Sequence, residues 1–194
     1  PLTHLRNQIE EMKSRDINEN DMDELLAEAD KILAIFNSLL RISNIEKGKR
    51  HQIFEAIELN KLISDVVELF EPVAEEKNIH IHHKKSSDMN INGDRHLLFQ
   101  MFANILSNSI KFSPQNSDVI ISASESEIII ADRGPGISDA EKELVFQRFY
   151  RSDSSRSTEG NGLGLSLVKA IVELHNGNIA LEDNHPGLRV KINL

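Results

Sequence analysis

Residues 94–112 carry polar side chains whose types and spacing suit a ligand site. Four of them recur at steps of three and four residues and so share one face of a helix: Gln100, Asn104, Asn108 and Lys111. A solvated face normally carries Glu and Lys, which form helices better than Asn. Amide oxygens bind a hard cation and an ammonium group binds an anion, so this face suits a magnesium–phosphate ligand. On this helix alone, a chance polar face explains the pattern about equally well.

The other side of the same stretch indicates what holds that face in place. Five apolar residues have the spacing of a helix that packs against a core: Leu98, Met101, Phe102, Ile105 and Leu106. We therefore predict a helix from Asp94 to Phe112, with its apolar side buried and its amide side open.

A second candidate lies at residues 132–137, directly after a short apolar run. Asp132 is followed by Gly134 and Gly136 around a proline, which gives a rigid turn with no Cβ atoms to obstruct a flat ligand. A carboxylate accepts hydrogen bonds and so suits the exocyclic amine of adenine. By itself the motif is weak, because Asp-x-Gly-Pro-Gly also describes ordinary turns.

A third candidate is the glycine-rich segment 160–165, Gly-Asn-Gly-Leu-Gly-Leu, which opens an amphipathic helix. Glycines at a helix N-terminus expose backbone N–H groups and the positive end of the helix dipole to phosphate. The polar run between Phe149 and Gly160 has no periodicity and is typical of a lid over a ligand. A dinucleotide-binding fold needs a strand before such glycines, so the polar run excludes that fold.

The first 50 residues predict a helical hairpin. Residues 2–12 repeat apolar side chains at coiled-coil spacing, and residues 16–21 interrupt the pattern. A longer helix, from about Met22 to Ile45, carries two adjacent apolar columns: Leu26, Ala29, Leu33, Phe36 and Leu40 in one, and Leu25, Ile32 and Leu39 in the other. Two helices cannot bury so wide a stripe, so we expect a homodimer with a four-helix bundle. A hairpin folded back on its own domain is less favoured, because a basic linker at residues 47–51 follows.

From residue 51 onward the pattern predicts a mixed α/β domain. Asn60 is the expected N-cap of a helix that ends near Lys77. Residues 138–141 match a capping box that begins a helix through Phe146. Six strands are predicted, in three pairs. Residues 79–82 have 89–92 as a short partner, residues 118–124 and 127–131 form a hairpin, and residues 178–182 and 188–193 close the sheet.

Composition excludes several classes of function. The net charge of -9 argues against nucleic acid or an anionic membrane as the main partner. The chain has no cysteine for a disulfide framework, no apolar run of transmembrane length and no signal peptide. Strand alternation sends His80 and His82 to one face and His83 to the other, so a solvated strand face explains these histidines better than a metal site.

The order of these motifs resembles that of a known family. Four motifs resemble, in order, the N, G1, F and G2 boxes of bacterial sensor histidine kinases. They are Asn104, Asn108 and Lys111, then Asp-Arg-Gly-Pro-Gly, then Val-Phe-Gln-Arg-Phe-Tyr-Arg, then Gly-Asn-Gly-Leu-Gly-Leu. Four ordered boxes are far more specific than one. The resemblance implies an α+β chain with two parts. Residues 1–50 would form an antiparallel hairpin for dimerisation and histidine phosphotransfer, and residues 51–194 a two-layer α/β sandwich that binds ATP, as in Hsp90-type and gyrase-type ATPases.

The resemblance also implies roles for the matching residues, with ATP and Mg²⁺ as ligands. Asn108 is the expected magnesium ligand with Asn104 as its support, Lys111 the expected phosphate contact, and Asp132 the expected adenine-binding residue. The other implied residues shape the adenine loop, anchor the lid, flank the nucleotide, or form the lid hinge and phosphate turn: Gly134, Gly136, Ile137, Phe146, Phe149, Tyr150, Arg151, Gly160, Gly162, Leu163, Gly164 and Leu165.

One departure from the family pattern concerns the phosphate acceptor. In the family the acceptor histidine stands in a stretch similar to His-Glu-Leu-Arg-Thr-Pro-Leu, and the segment Pro1–Leu2–Thr3 resembles the end of it. The resemblance therefore places the acceptor upstream of Pro1, and His4 is not the acceptor. We expect the chain to be a piece of a longer protein that binds ATP without phosphorylating itself.

The resemblance implies that the parent protein transfers the γ-phosphoryl group of ATP to a histidine and then to an aspartate on the receiver domain of a response regulator. This core would lie in the bacterial cytoplasm and contact neither nucleic acid nor membrane. Two other hypotheses stay open. One is a conformational ATPase or nucleotide-dependent interaction module similar to the Hsp90 relatives, although the hairpin and the F box favour the kinase. The other is a dimerisation fragment with an empty nucleotide site.

Overall fold

The computed structural model describes residues 19–46, 53–85, 90–124, 127–152 and 160–194. The chain forms two compact units, Pro1–Ser43 and Asn44–Leu194. The first predicted helix, the basic linker and most of the predicted lid lie outside the described residues. None of the helices in the described ranges is both long enough and apolar enough to span a bilayer.

Helix α1 (Glu19–Glu46) confirms the long helix that the apolar spacing predicts. One of its apolar columns is open to solvent, since Leu26, Leu33 and Phe36 are 61%, 57% and 57% exposed. The neighbouring column, which includes Ile32, is half-buried. A row of large apolar side chains with that exposure is typical of a surface that another chain covers. The dimer interface itself stays a prediction.

The second unit consists of helices packed on a mixed sheet, which confirms the predicted two-layer α/β architecture. Its described helices are α2 (Leu59–Glu75), α3 (Arg95–Phe112) and α4 (Gly164–Leu174). Its strands are β1 (Glu55–Glu58), β2 (His80–Lys84), β3 (Asn90–Gly93), β4 (Asp118–Ser124), β5 (Glu127–Ala131), β6 (Asn178–Asp183) and β7 (Leu188–Asn193). The five-stranded sheet has the order β2-β4-β5-β7-β6, in which only β2 and β4 pair in parallel, and β1 pairs with β3 separately.

The core lies between the helices and one face of the five-stranded sheet. Alternate residues of β4 and β5 are buried there, among them Val119, Ile121, Ile128 and Ile130. The five apolar residues predicted for α3 are each at most 2% exposed: Leu98, Met101, Phe102, Ile105 and Leu106. Burial along its whole length fixes the rotation of α3 about its axis, so its amide face has a defined direction.

Two predicted helix starts are wrong. α2 begins at Leu59 with Glu58 at the N-cap, so Asn60 lies buried inside the first turn. Residues 138–141 begin no α-helix, and a single 3₁₀ turn at Leu144–Phe146 follows. The Ser138 hydroxyl donates to the Glu141 carboxylate at 2.6 Å, so neither side chain caps backbone as a capping box requires.

The predicted pairing of residues 89–92 with the histidine strand is also wrong. β3 pairs with β1, whereas β2 pairs in parallel with β4, whose residues lie 38 positions further along the chain. The predicted faces of the histidines are confirmed: His80 and His82 are exposed, and His83 faces the other way, 3.3 Å from the Ser64 hydroxyl. Within the described ranges, no group of three or more His, Cys, Asp or Glu side chains is placed to hold a metal ion.

Candidate nucleotide-binding site

Helix α3 is capped at both ends by side chains. At its start the Asp94 carboxylate accepts hydrogen bonds from two backbone N–H groups of the first turn, at 3.0 and 3.1 Å. At its end the Lys77 ammonium donates to the carbonyl oxygens of Ile110 and Lys111, at 3.0 and 2.9 Å. A cation on the last carbonyls complements the negative end of the helix dipole. These caps fix the helix that presents the amide face.

The amide face of α3 meets the first residue of α4. A Cβ atom on Gly164 would lie 3.2 Å from Asn104 Oδ1 and 3.8 Å from Asn108 Nδ2. The Asn104 amide nitrogen donates to the Gln100 carbonyl at 2.8 Å, which turns its oxygen toward α4. Within the described residues, no side chain caps the N-terminus of α4, whose N-cap is Leu163. Backbone N–H groups and the amide oxygen of Asn104 therefore share one small space, the combination expected for phosphate and Mg²⁺.

The glycine segment before α4 lies against both α3 and the beginning of the predicted lid. A Cβ atom on Gly160 would lie 3.1 Å from Lys111 Nζ. Gly162 has φ +69°, and a Cβ atom there would lie 2.7 Å from the Tyr150 carbonyl oxygen. The Phe149 N–H also donates to the Gly162 carbonyl at 3.0 Å. The two ends of the predicted lid are thus held together, and only glycine fits at position 162.

Asp132 directly follows β5 and is buried, 5% exposed. Its Oδ1 accepts hydrogen bonds from the backbone N–H groups of Gly134 and Leu188, at 2.8 and 3.0 Å. Burial raises the pKa of the Asp132 carboxyl, and the hydrogen bonds from Leu188, Gly134 and the Ser109 hydroxyl oppose that rise. Both backbone donors therefore bind the same carboxylate oxygen.

The loop after Asp132 packs on the end of α3. A Cβ atom on Gly134 would lie 3.1 Å from the Phe112 carbonyl oxygen. The Ser109 hydroxyl, on the residue next to Asn108, lowers the pKa of the Asp132 carboxyl through a side-chain hydrogen bond. The structure therefore joins the first two candidate motifs, although more than 20 residues separate them in the sequence.

The remaining predicted residues lie around these two groups. Ile137, Arg151 and Leu165 are half-buried, Leu163 is buried and Phe149 is exposed. The Tyr150 hydroxyl donates to the Glu141 carboxylate at 3.1 Å, and Lys169 of α4 lies 5.3 Å from the Phe146 ring centroid. The segment 144–150 is therefore tied to α4 and to the turn that precedes it.

Sequence reasoning missed four residues that support the site: Lys77, Ser109, Asn184 and Leu188. Ser109 left a usable signal, because it lies four residues after Ile105 in an apolar column where a hydroxyl needs a partner. Lys77 and Asn184 gave no such signal in the sequence, since Lys77 is an ordinary residue near a helix end and Asn184 is an ordinary residue in a turn. Their partners are distant in sequence, so only the fold identifies them.

Residues 93–194, more than half of the chain, match the family model of histidine kinase-, DNA gyrase B- and HSP90-like ATPases. The chain belongs to this family. The predicted resemblance to the catalytic core of sensor histidine kinases is confirmed by its relatives. The sensor-like histidine kinase SenX3 of Mycolicibacterium smegmatis is 33% identical over 82% of this chain and 43% of its own length. The sensor protein SphS of Synechococcus elongatus is 32% identical over 96% of this chain and 48% of its own.

A solved structure of the mycobacterial sensor histidine kinase MprB has the same fold. It superposes with a TM-score of 0.66 and 28% identity, over 73% of this chain and 97% of that one. The chain spans less than half the length of the two curated relatives. The family therefore establishes a histidine kinase-type ATPase domain, whereas the activity of a whole sensor kinase is a matter for proposal.

Proposed function

We propose that the second unit binds ATP together with Mg²⁺, with the phosphates at the N-terminus of α4 and adenine at Asp132. The observation that carries this proposal is the approach of Asn104 to within 3.2 Å of a Cβ position on Gly164, where the uncapped helix N-terminus meets the amide face. A bound Mg²⁺ neutralises phosphate charge and polarises the γ-phosphoryl group. Asn108 would hold the ion, with Asn104 beside it.

The other residues of the site orient the nucleotide. Lys111 supplies positive charge next to Gly160, where the polyphosphate chain would pass. The carboxylate of Asp132 accepts the exocyclic amine of adenine, and Gly134 and Gly136 leave room for the base. Phe149 and Tyr150, which lie against Gly162, would flank the nucleotide.

We also propose that the parent protein uses this ATP to phosphorylate a histidine and then an aspartate of a response regulator. The names of its relatives, which are sensor histidine kinases, support this reaction. Positioning and charge neutralisation are the main contributions a protein makes to such a transfer. None of the eight histidines stands in a stretch similar to the family's acceptor motif, so the 194 residues alone should bind ATP and remain unlabelled.

The exposed apolar column of α1 supports a homodimer through the first helices. Residues as large as Leu33 and Phe36, each 57% exposed, would be covered by the partner helix. A cytoplasmic location and a receiver domain as partner follow from the same kinship and belong to the proposal. The sequence boundaries 1–50 and 51–194 remain the proposed domains.

Calorimetric titration with ATP and Mg²⁺ tests the nucleotide site. The unaltered chain should bind, and Asn108→Ala should lose about 10-fold or more in affinity when Mg²⁺ is present, as expected for a lost ligand to a charged group. Asn92→Ala, which makes the same change at an exposed strand position, serves as the matched control. Equal binding by Asn108→Ala and Asn92→Ala would remove Asn108 from the site. Absence of binding by the unaltered chain would refute the proposal.

A further inference from the structure

The turn between β6 and β7 contacts the backbone of Asp132. The Asn184 side-chain amide donates to the Asp132 carbonyl oxygen at 2.7 Å, across 52 residues of sequence. The turn is closed by a bond from the Asn184 N–H to the Gly187 carbonyl at 2.9 Å. A turn of four residues thus reaches the residue directly after β5.

The direction of the Asn184 amide is fixed by its second partner. The Arg189 guanidinium donates to Asn184 Oδ1 at 3.3 Å, and the same guanidinium lies 3.9 Å from the Glu182 carboxylate. A guanidinium has donors only, so it must face the oxygen of the amide. The NH₂ group of Asn184 is therefore directed at Asp132.

The turn approaches so closely that it admits no side chain at its last position. Gly187 has φ +116°, and a Cβ atom there would lie 2.0 Å from the Asp132 carbonyl oxygen. The next residue, Leu188, donates its N–H to Asp132 Oδ1 at 3.0 Å. The same short segment therefore holds both the carbonyl and the carboxylate of Asp132.

We propose that Asn184 is a positioning residue that fixes Asp132 for selection of adenine, an inference that rests on the proposed function. Asn184 itself does not touch the base. It satisfies the carbonyl of Asp132, while Leu188 fixes Oδ1, so that the carboxylate has one direction in which to accept an amine. Without the Asn184 amide the backbone of Asp132 is less constrained, so its carboxylate can take several directions. The interaction with the exocyclic amine should weaken, whereas contacts with the phosphates should not.

The test compares ATP with the triphosphate of purine riboside, which lacks the exocyclic amine. Asn184→Ala should weaken ATP binding about 3- to 10-fold, the effect of one lost hydrogen bond, and leave binding of the amine-free analogue unchanged. Asn184→Asp, which keeps the oxygen for Arg189 but offers Asp132 no donor, should do the same. The matched control is Asn178→Ala at the exposed start of β6, which should bind both nucleotides as the unaltered chain does.

A pair of glycine variants separates positioning from general damage to the sheet. Gly187→Ala should lose preference for ATP over the analogue. Gly177→Ala introduces a comparable clash, with its Cβ 2.2 Å from the Asn193 carbonyl oxygen at the opposite end of the β6–β7 pair, and should keep that preference. Equal losses for both nucleotides in Asn184→Ala and Asn184→Asp, or no loss in either variant, would overturn the inference. Failure of the unaltered chain to bind ATP would instead refute the proposed function and this inference with it.

Discussion

Replacing Lys77 by methionine should destabilise the second unit and weaken nucleotide binding together. The Lys77 ammonium donates to the carbonyl oxygens of Ile110 and Lys111 at the end of α3. The last carbonyls of a helix have no partner within the helix and carry the negative end of its dipole. Methionine keeps the length and the apolar stem of lysine, so the change removes the charge and the two bonds and little else.

The size of the effect follows from the position of those bonds. A hydrogen bond to a charged group contributes about 1.5–3 kcal/mol when buried. Lys77 is half-buried, and water can reach the released carbonyls, so each bond belongs at or below the lower end of that range. We expect a loss of about 2 kcal/mol in the free energy of unfolding from the two bonds and the dipole together. For a unit of this size the midpoint of thermal unfolding should fall by about 4–8 °C.

Thermal unfolding and calorimetric titration with ATP measure the two effects on the same samples. Lys61→Met on the exposed face of α2 is the control, and its unfolding midpoint should hardly move, as for most surface changes. A Lys77→Met chain as stable as the control would show that the cap contributes nothing. A destabilised chain with unaltered ATP affinity would refute the link between the cap and the proposed phosphate contact at Lys111.

Three further predictions concern the dimer and the pH dependence. Phe36→Glu should give a monomer by light scattering while Asn37→Glu, the same charge one position away, stays dimeric; a monomeric unaltered chain would refute the interface. Burial, with a smaller contribution from Lys85, lowers the pKa of His83 from its ordinary 6.5, so the unfolded chain takes up the proton first and the free energy of unfolding should fall below pH 6.5. His83→Gln should flatten that decline in denaturant titrations, and an unchanged slope would contradict it. Because the pKa of Asp132 is raised above its ordinary value of 3.8, the affinity for ATP should begin to fall at a higher pH than that value on acidification. Calorimetry that shows the affinity falling only near pH 3.8 would contradict this prediction.

The parts of the fold that could be predicted are those decided by neighbours in sequence. α3 is the clearest case, because its apolar stripe and its capping residue Asp94 lie within one stretch. The start of α4 in the glycine segment was predicted in the same way, since the glycines and the amphipathic pattern that follows them lie within one stretch. The binding of phosphate there stays a prediction. The order of these motifs then identified the family.

The parts that could not be predicted depend on distant partners. Alternation showed that residues near 80 and near 90 form strands, but it carries no information on which strand pairs with which, and proximity in sequence suggested the wrong pair. The capping box predicted at residues 138–141 was wrong because the Ser138 hydroxyl bonds to the Glu141 carboxylate and does not cap the backbone. Asn184 read as an ordinary turn residue, and its contact with Asp132 exists only because β7 pairs with β5.

Both ends of the proposed site include α3, but at each end α3 packs against a different part of the chain. Asn104 meets Gly164 of α4 at the proposed phosphate end, and Ser109 and Phe112 meet the Asp132 loop at the proposed base end. A shift of α3 along its axis would therefore move the proposed cation ligands and the proposed adenine contact together, whereas a change in the β6–β7 turn would move only the base end. This difference explains why a cap on α3 and an amide in that turn should give different signatures. The first should weaken binding of every nucleotide, and the second should weaken only nucleotides that carry the exocyclic amine.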